Sequence, residues 1–180
     1  AATPTFSFVA DHVRAIGGSV REVPMDSGMR HDLKAMRAAV SPATRLVYVC
    51  NPNNPTGTLV SGAEVREFIA TLPREITVLA DEAYLEIASD MSEQSVVDRV
   101  RASDNVIVAR TFSKLHGLAG LRIGYALARP DLIARMAKLK LVAVSSLGLA
   151  AASASYGNMQ FQALSRKNLA AGVAITTAAL

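Results

Sequence analysis

The sequence predicts an α/β domain of three layers, a mostly parallel sheet sandwiched between helices. Three observations carry that prediction. Apolar runs of strand length alternate with stretches of helical periodicity. The runs at 45–50 (RLVYVC), 75–84 (EITVLADEAY) and 105–113 (NVIVARTFS) are apolar almost throughout, as strands of a buried parallel sheet are. Each is also followed by or ends in a polar cluster, NPNNPTG, DEAY and TFSK, at the strand's C-terminal end, where open α/β sheets bind ligands.

Composition narrows the classes. With 180 residues, 51% of them apolar and 19% charged, the chain can bury a sizeable core as one large domain or part of a larger one. The net charge is +4, but the basic residues are scattered singly and aromatics make up only 5%, so no nucleic-acid partner is expected. The single cysteine excludes an internal disulfide and any multi-cysteine metal site; no metal is expected, and a cytoplasmic location is. Residues 141–165 carry no charge yet hold serines, glutamines and an asparagine, so a buried helix pair is expected there rather than a membrane span. The chain opens without methionine and closes inside a helical pattern, and it reads as an excerpt.

In chain order, residues 7–16 place Phe8, Val9, His12, Val13 and Ile16 on one side of a helix that Gly17 and Gly18 stop. SVREVPM (19–25) alternates as a short strand, and 31–40 is helical up to Ser41-Pro42. After the 45–50 strand comes NPNNPTG, a dense turn signal in which Asn51 and Asn53 read as turn residues. Ser61 opens a helix to about Leu72, with Glu64 completing a capping box. The 75–84 strand follows, then a helix near 93–102, the 105–113 strand, a strand at 121–128, and a helix from Pro130-Asp131 into the 140s. His12 and His31 read as helix surface, Tyr48, Tyr125 and Tyr156 as core or interface, and Cys50 as a small apolar filler. Glu82 is expected to face away from Asp81, because adjacent strand residues point to opposite sides.

The polar clusters offer an amine (Lys114), a carboxylate (Asp81), a phenol (Tyr84), an amide (Asn54), two hydroxyls (Thr111, Ser113) and a guanidinium (Arg122). A lysine nucleophile beside hydroxyls and an arginine suits a phosphorylated aldehyde cofactor, with the carboxylate on a pyridinium nitrogen. The lysine must be partly neutral to attack, which a nearby Arg122 and burial would favour.

NPNNPTG, DEAYLE and RTFSKLHGLAGLRIGYALA, in that order and spacing, closely resemble the motifs of fold-type I pyridoxal-phosphate aminotransferases, most of all histidinol-phosphate aminotransferase and its relatives. The resemblance implies that residues 1–140 are the cofactor-binding large domain without its N-terminal part, and that 141–180 lead toward a C-terminal small domain. It implies that Lys114 bonds to the cofactor's aldehyde and moves the proton between substrate and cofactor carbons. Asp81 would pair with the ring nitrogen, Tyr84 and Asn54 would contact the ring oxygen, and Thr111, Ser113 and Arg122 would bind the phosphate. Phe6 stands where an aromatic stacks on the ring, a position at which many relatives have tyrosine; His116, where relatives often carry an aromatic, gets no catalytic role. Amino-acid and 2-oxo-acid substrates and a homodimer are implied as well. A decarboxylase or carbon–sulfur lyase of the same fold, and a cofactor-sensing regulator domain, are the alternatives.

Overall fold

The computed structural model of the chain describes residues 1–88, 91–102, 104–139 and 143–179. The chain divides into two compact units, Ala1–Arg110 with Ala126–Leu139, and Thr111–Tyr125 with Lys140–Leu180.

The first unit opens with β1 (Ala2–Thr3), α1 (Phe8–Ala15), β2 (Val23–Pro24) and α2 (Leu33–Ala38). Then β3 (Leu46–Cys50), α3 (Gly62–Thr71) and β4 (Thr77–Asp81) alternate, followed by α4 (Met91–Gln94), α5 (Val97–Arg101) and β5 (Val106–Thr111). Past β5 come β6 (Gly124–Leu127) and α6 (Pro130–Ala137). The main sheet has the order β3-β4-β5-β6, and β3, β4 and β5 run parallel, as the sequence predicts. Val47 and Val49 of β3, Val78 and Ala80 of β4, and Val106 and Val108 of β5 form its buried core with Val65, Phe68 and Ile69 of α3. Burial alternates along β4 and β5, so their second face is only half covered.

The capping box is present. Glu64 N–H donates to Ser61 Oγ at 3.2 Å, and Ser61 N–H donates to Glu64 Oε2 at 3.0 Å. Ser61→Ala is expected to lower stability by about 1 kcal/mol in urea unfolding; an unchanged midpoint would contradict the cap's role.

Several elements are shorter than the sequence suggests. β2 keeps only Val23–Pro24 of the 19–25 run, where the Val23 N–H donates to the Ala1 carbonyl and the Met25 N–H to that of Thr3. β4 stops at Asp81 because the Asp81 carboxylate accepts the Ala83 N–H at 3.1 Å and turns the chain into a 3-10 segment at Leu85–Ile87. α2 starts at Leu33, capped by the Asp32 side chain, which accepts from Ala35 N–H. His31 therefore precedes the helix and is not on its surface. Its ring is buried, and Nε2 donates to the Cys50 carbonyl at 2.7 Å. α1 forms as predicted, but Phe8 and Ile16 on its apolar side stay exposed. α6 ends at Ala137, and positions 140–142 of the predicted longer helix lie outside the described residues.

Glu82 does face away from Asp81. Its carboxylate is buried and accepts from Ser95 Oγ, from Val96 N–H at 2.9 Å, and from Arg110 Nε and Nη2 at 2.9 and 2.8 Å. The two side chains are 4% and 9% exposed, so removing one would leave a buried charge without its counter-charge. Arg110→Ala is expected to cost about 3–5 kcal/mol in the same unfolding measurement; a loss under about 1 kcal/mol would show that water replaces the pair.

The second unit carries a 3-10 turn (Ala119–Leu121), α7 (Ser146–Tyr156) and α8 (Met159–Ala178). Phe112, Ile123 and Ala152 form its small core, with Leu118 and Tyr125 packed against it. Gly148 is required where α7 crosses Ile123, since a Cβ there would sit 2.7 Å from the Ile123 side chain. The predicted helix pair is present, but it is not buried: Leu147, Leu149, Leu164 and Val173 are all exposed. Tyr156 is exposed too, while its ring still meets that of Phe112 edge-on. Among the described residues no helix is long and apolar enough to cross a membrane.

Candidate active site

In the first unit, Asp81 ends β4 opposite Cys50 of β3. Its main chain is fixed by the Asn51 N–H, which donates to the Asp81 carbonyl at 2.9 Å. Its carboxylate is fixed on both oxygens. Tyr48 Oη donates to Oδ2 at 2.9 Å, and Ala83 N–H donates to Oδ1 at 3.1 Å. Burial, reinforced by Cys50 and Asp81, pushes the Tyr48 phenol well above its ordinary value, so it remains a protonated donor. Burial likewise pushes the Cys50 thiol up, which fits a filler and not a nucleophile.

The NPNNPTG turn divides its asparagines by role. Asn51 is buried and pairs both ways with the Val60 backbone, its amide donating to the carbonyl at 2.8 Å and its oxygen accepting the N–H at 2.9 Å. Asn53 is buried and binds the chain start: its oxygen accepts from Thr5 Oγ1 at 2.6 Å and its amide donates to the Pro4 carbonyl at 3.1 Å. Both do turn work, as expected, and Asn53 also ties down the segment bearing Phe6. Among the described residues the half-buried Asn54 side chain has no protein hydrogen-bond partner. Phe6 is exposed and lies 6.3 Å from the Phe8 ring, and Tyr84 is half-buried at the start of the 3-10 segment.

In the second unit, Thr111 Oγ1 accepts the Ser113 N–H at 3.0 Å and makes a long contact of 3.4 Å to the Ile123 carbonyl. Backbone bonds from Gly117 N–H to the Lys114 carbonyl and from Leu118 N–H to that of Phe112 close the turn after the strand. Gly117 has φ of +66°, a conformation that costs glycine little. This turn sends Leu115 and His116 inward, where the imidazole Nδ1 lies 2.8 Å from Ser155 Oγ, and leaves Lys114 exposed. The expected burial of Lys114 is therefore corrected. Arg122 is exposed and adopts a left-handed conformation, φ 54° and ψ 48°, with Nη1 donating to the Ala119 carbonyl at 2.8 Å. A non-glycine residue held there costs about 1 kcal/mol, a strain that tends to accumulate at functional positions.

The eight candidates thus fall in two groups: Phe6, Asn54, Asp81 and Tyr84 in the first unit, and Thr111, Ser113, Lys114 and Arg122 in the second. The hydrogen-bonding roles of Tyr48 and Asn53 escaped sequence reasoning. A signal for Tyr48 existed, because two residues beyond its partner Leu79 lies Asp81 on the same face of the sheet.

The sequence matches the family described as aminotransferase class I and II over residues 1–174. The chain belongs to that family. This class I and II aminotransferase chain is 46% identical over 158 residues to an aromatic amino acid aminotransferase of Mycobacteroides abscessus, covering 87% of the chain and 44% of that protein. It is 43% identical over 176 residues to histidinol-phosphate aminotransferase 2 of Ralstonia nicotianae, covering 97% of the chain and 46% of that protein. The chain therefore spans a little under half the length of these curated relatives. Among solved structures, histidinol-phosphate aminotransferase from Sinorhizobium meliloti in complex with pyridoxal-5'-phosphate superposes with a TM-score of 0.86 at 34% identity, covering 92% of this chain and 45% of that one.

Proposed function

We propose that the chain is the cofactor-bearing part of a pyridoxal-phosphate aminotransferase. It would move an amino group between a 2-oxo acid and an amino acid, or an amino-acid-like phosphate of the histidinol-phosphate kind. The observation that carries this reading is the Asp81 carboxylate at the C-terminal end of β4, held on one oxygen by Tyr48 and on the other by Ala83. The names of the relatives support it further: both at 43–46% identity are aminotransferases, one for aromatic amino acids and one for histidinol phosphate.

The donor set fits the cofactor, with one carboxylate for a ring nitrogen, a phenol and an amide for a ring hydroxyl, hydroxyls and a guanidinium for a phosphate, and one amine for an aldehyde. When bound, pyridoxal phosphate supplies an aldehyde carbon that accepts amines and a protonated ring that withdraws electrons. Asp81 would pair with the ring nitrogen and hold a proton there. Tyr84 and Asn54 donate to the ring oxygen, and the Asn54 amide has no protein bond to give up among the described residues. Ser113 and Arg122 bind phosphate, joined by Thr111 once its hydroxyl leaves the long contact to Ile123. Phe6 covers the ring face from a segment that Asn53 ties down. Lys114 would hold the aldehyde end through its amine, and that amine would serve as the base that moves a proton at the reacting carbons. A cytoplasmic homodimer completes the proposal, as the resemblance implies.

The test is to incubate the holoenzyme with a 2-oxo acid and either phenylalanine or histidinol phosphate. A new amino acid formed in step with loss of the donor supports transamination. Release of carbon dioxide or free ammonia without amino exchange would favour a decarboxylase or lyase and contradict the proposal.

A further inference from the structure

We propose that Tyr48 is a positioning residue that sets the plane of the Asp81 carboxylate toward the cofactor's ring nitrogen. The inference rests on the reading of Asp81 as that nitrogen's partner. Tyr48 lies in the middle of β3, paired in register with Leu79 of β4, so Asp81 stands two residues further along on the same face. Its hydroxyl reaches Oδ2 at 2.9 Å, while the Ala83 amide holds Oδ1 at 3.1 Å. With one donor on each oxygen, the carboxylate cannot rotate about its Cβ–Cγ bond without breaking one of the two. Each oxygen still keeps a lone-pair direction for a further donor.

Besides Asp81, the Tyr48 hydroxyl meets the Cys50 thiol. The Tyr48 side chain is 3% exposed, so water does not compete for its proton. The neighbouring Cys50 thiol donates to the Pro52 carbonyl, 3.5 Å away. His31, the other titratable group behind this strand, is occupied by the Cys50 carbonyl. Tyrosine at position 48 therefore does what phenylalanine, of nearly the same shape, could not.

The experiment uses the holoenzyme loaded with pyridoxal phosphate labelled with ¹⁵N in the ring, comparing wild type, Tyr48→Phe, Asp81→Ala and the double variant. In Tyr48→Phe the ring-nitrogen resonance is expected to move part of the way to its position in Asp81→Ala. The cofactor dissociation constant should rise about tenfold and kcat fall about tenfold, the scale of one hydrogen bond to a charged group. KM for the amino donor should stay unchanged. The double variant should lose no more than Asp81→Ala alone, because Tyr48 acts through Asp81. Losses that add in the double variant would mark Tyr48 as merely structural and overturn the proposal. A wild-type resonance and cofactor affinity in Tyr48→Phe, with Asp81→Ala shifted, would overturn the Tyr48 role and leave Asp81's intact. A resonance unmoved in Asp81→Ala would overturn both.

Discussion

Lys114→Ala is expected to reduce transamination by about 10⁴-fold or more, since on the proposed reading the variant loses both the amine that would bond to the cofactor's aldehyde and the base that would move the proton. No neighbour can stand in for it. Ser113 lacks the nitrogen, Leu115 points inward, and the His116 imidazole is buried against Ser155. Lys114→Arg should fail almost as fully, because guanidinium keeps its proton at any working pH. Lys114 is exposed, so neither substitution should move the thermal midpoint by much. Single-turnover measurement of amino transfer checks this, and substantial residual turnover in a folded Lys114→Ala variant would sink the assignment.

The second large effect belongs to Asp81→Ala. Without a carboxylate at the ring nitrogen the cofactor withdraws electrons less well, and proton abstraction should slow by about 10²- to 10³-fold. The covalent attachment at Lys114 should survive. The same substitution has a structural cost that must be read separately: the buried Tyr48 hydroxyl loses its acceptor, which costs about 1–3 kcal/mol of stability. Measuring kcat at a temperature where the variant is fully folded separates the two effects. Unchanged turnover there would rule out the electron-sink role of Asp81.

The parallel strands β3, β4 and β5 were legible because each is an apolar run closed by a polar cluster, and the Ser61–Glu64 cap because its spacing is local. Glu82 facing away from Asp81 followed from the alternation of a strand. What the sequence hid depended on partners far along the chain. His31 looked like helix surface until Asp32 took the cap position and the ring turned in to the Cys50 carbonyl. Tyr48 read as core, which it is, but its acceptor lies 33 residues on. Lys114 was expected to be buried, yet helical and strand periodicity say nothing about a turn whose inward residues are Leu115 and His116. The charge-free stretch of α7 and α8 was expected to be covered, and composition alone cannot say what packs against a helix.

The central claim is that Lys114 is the attachment point of pyridoxal phosphate. Reducing the protein with borohydride in the presence of the cofactor, then mapping pyridoxyl-modified peptides by mass spectrometry, tests it most directly. One stoichiometric adduct is expected, on Lys114. An adduct absent, or scattered over surface lysines such as Lys34, Lys138 and Lys167, would contradict it.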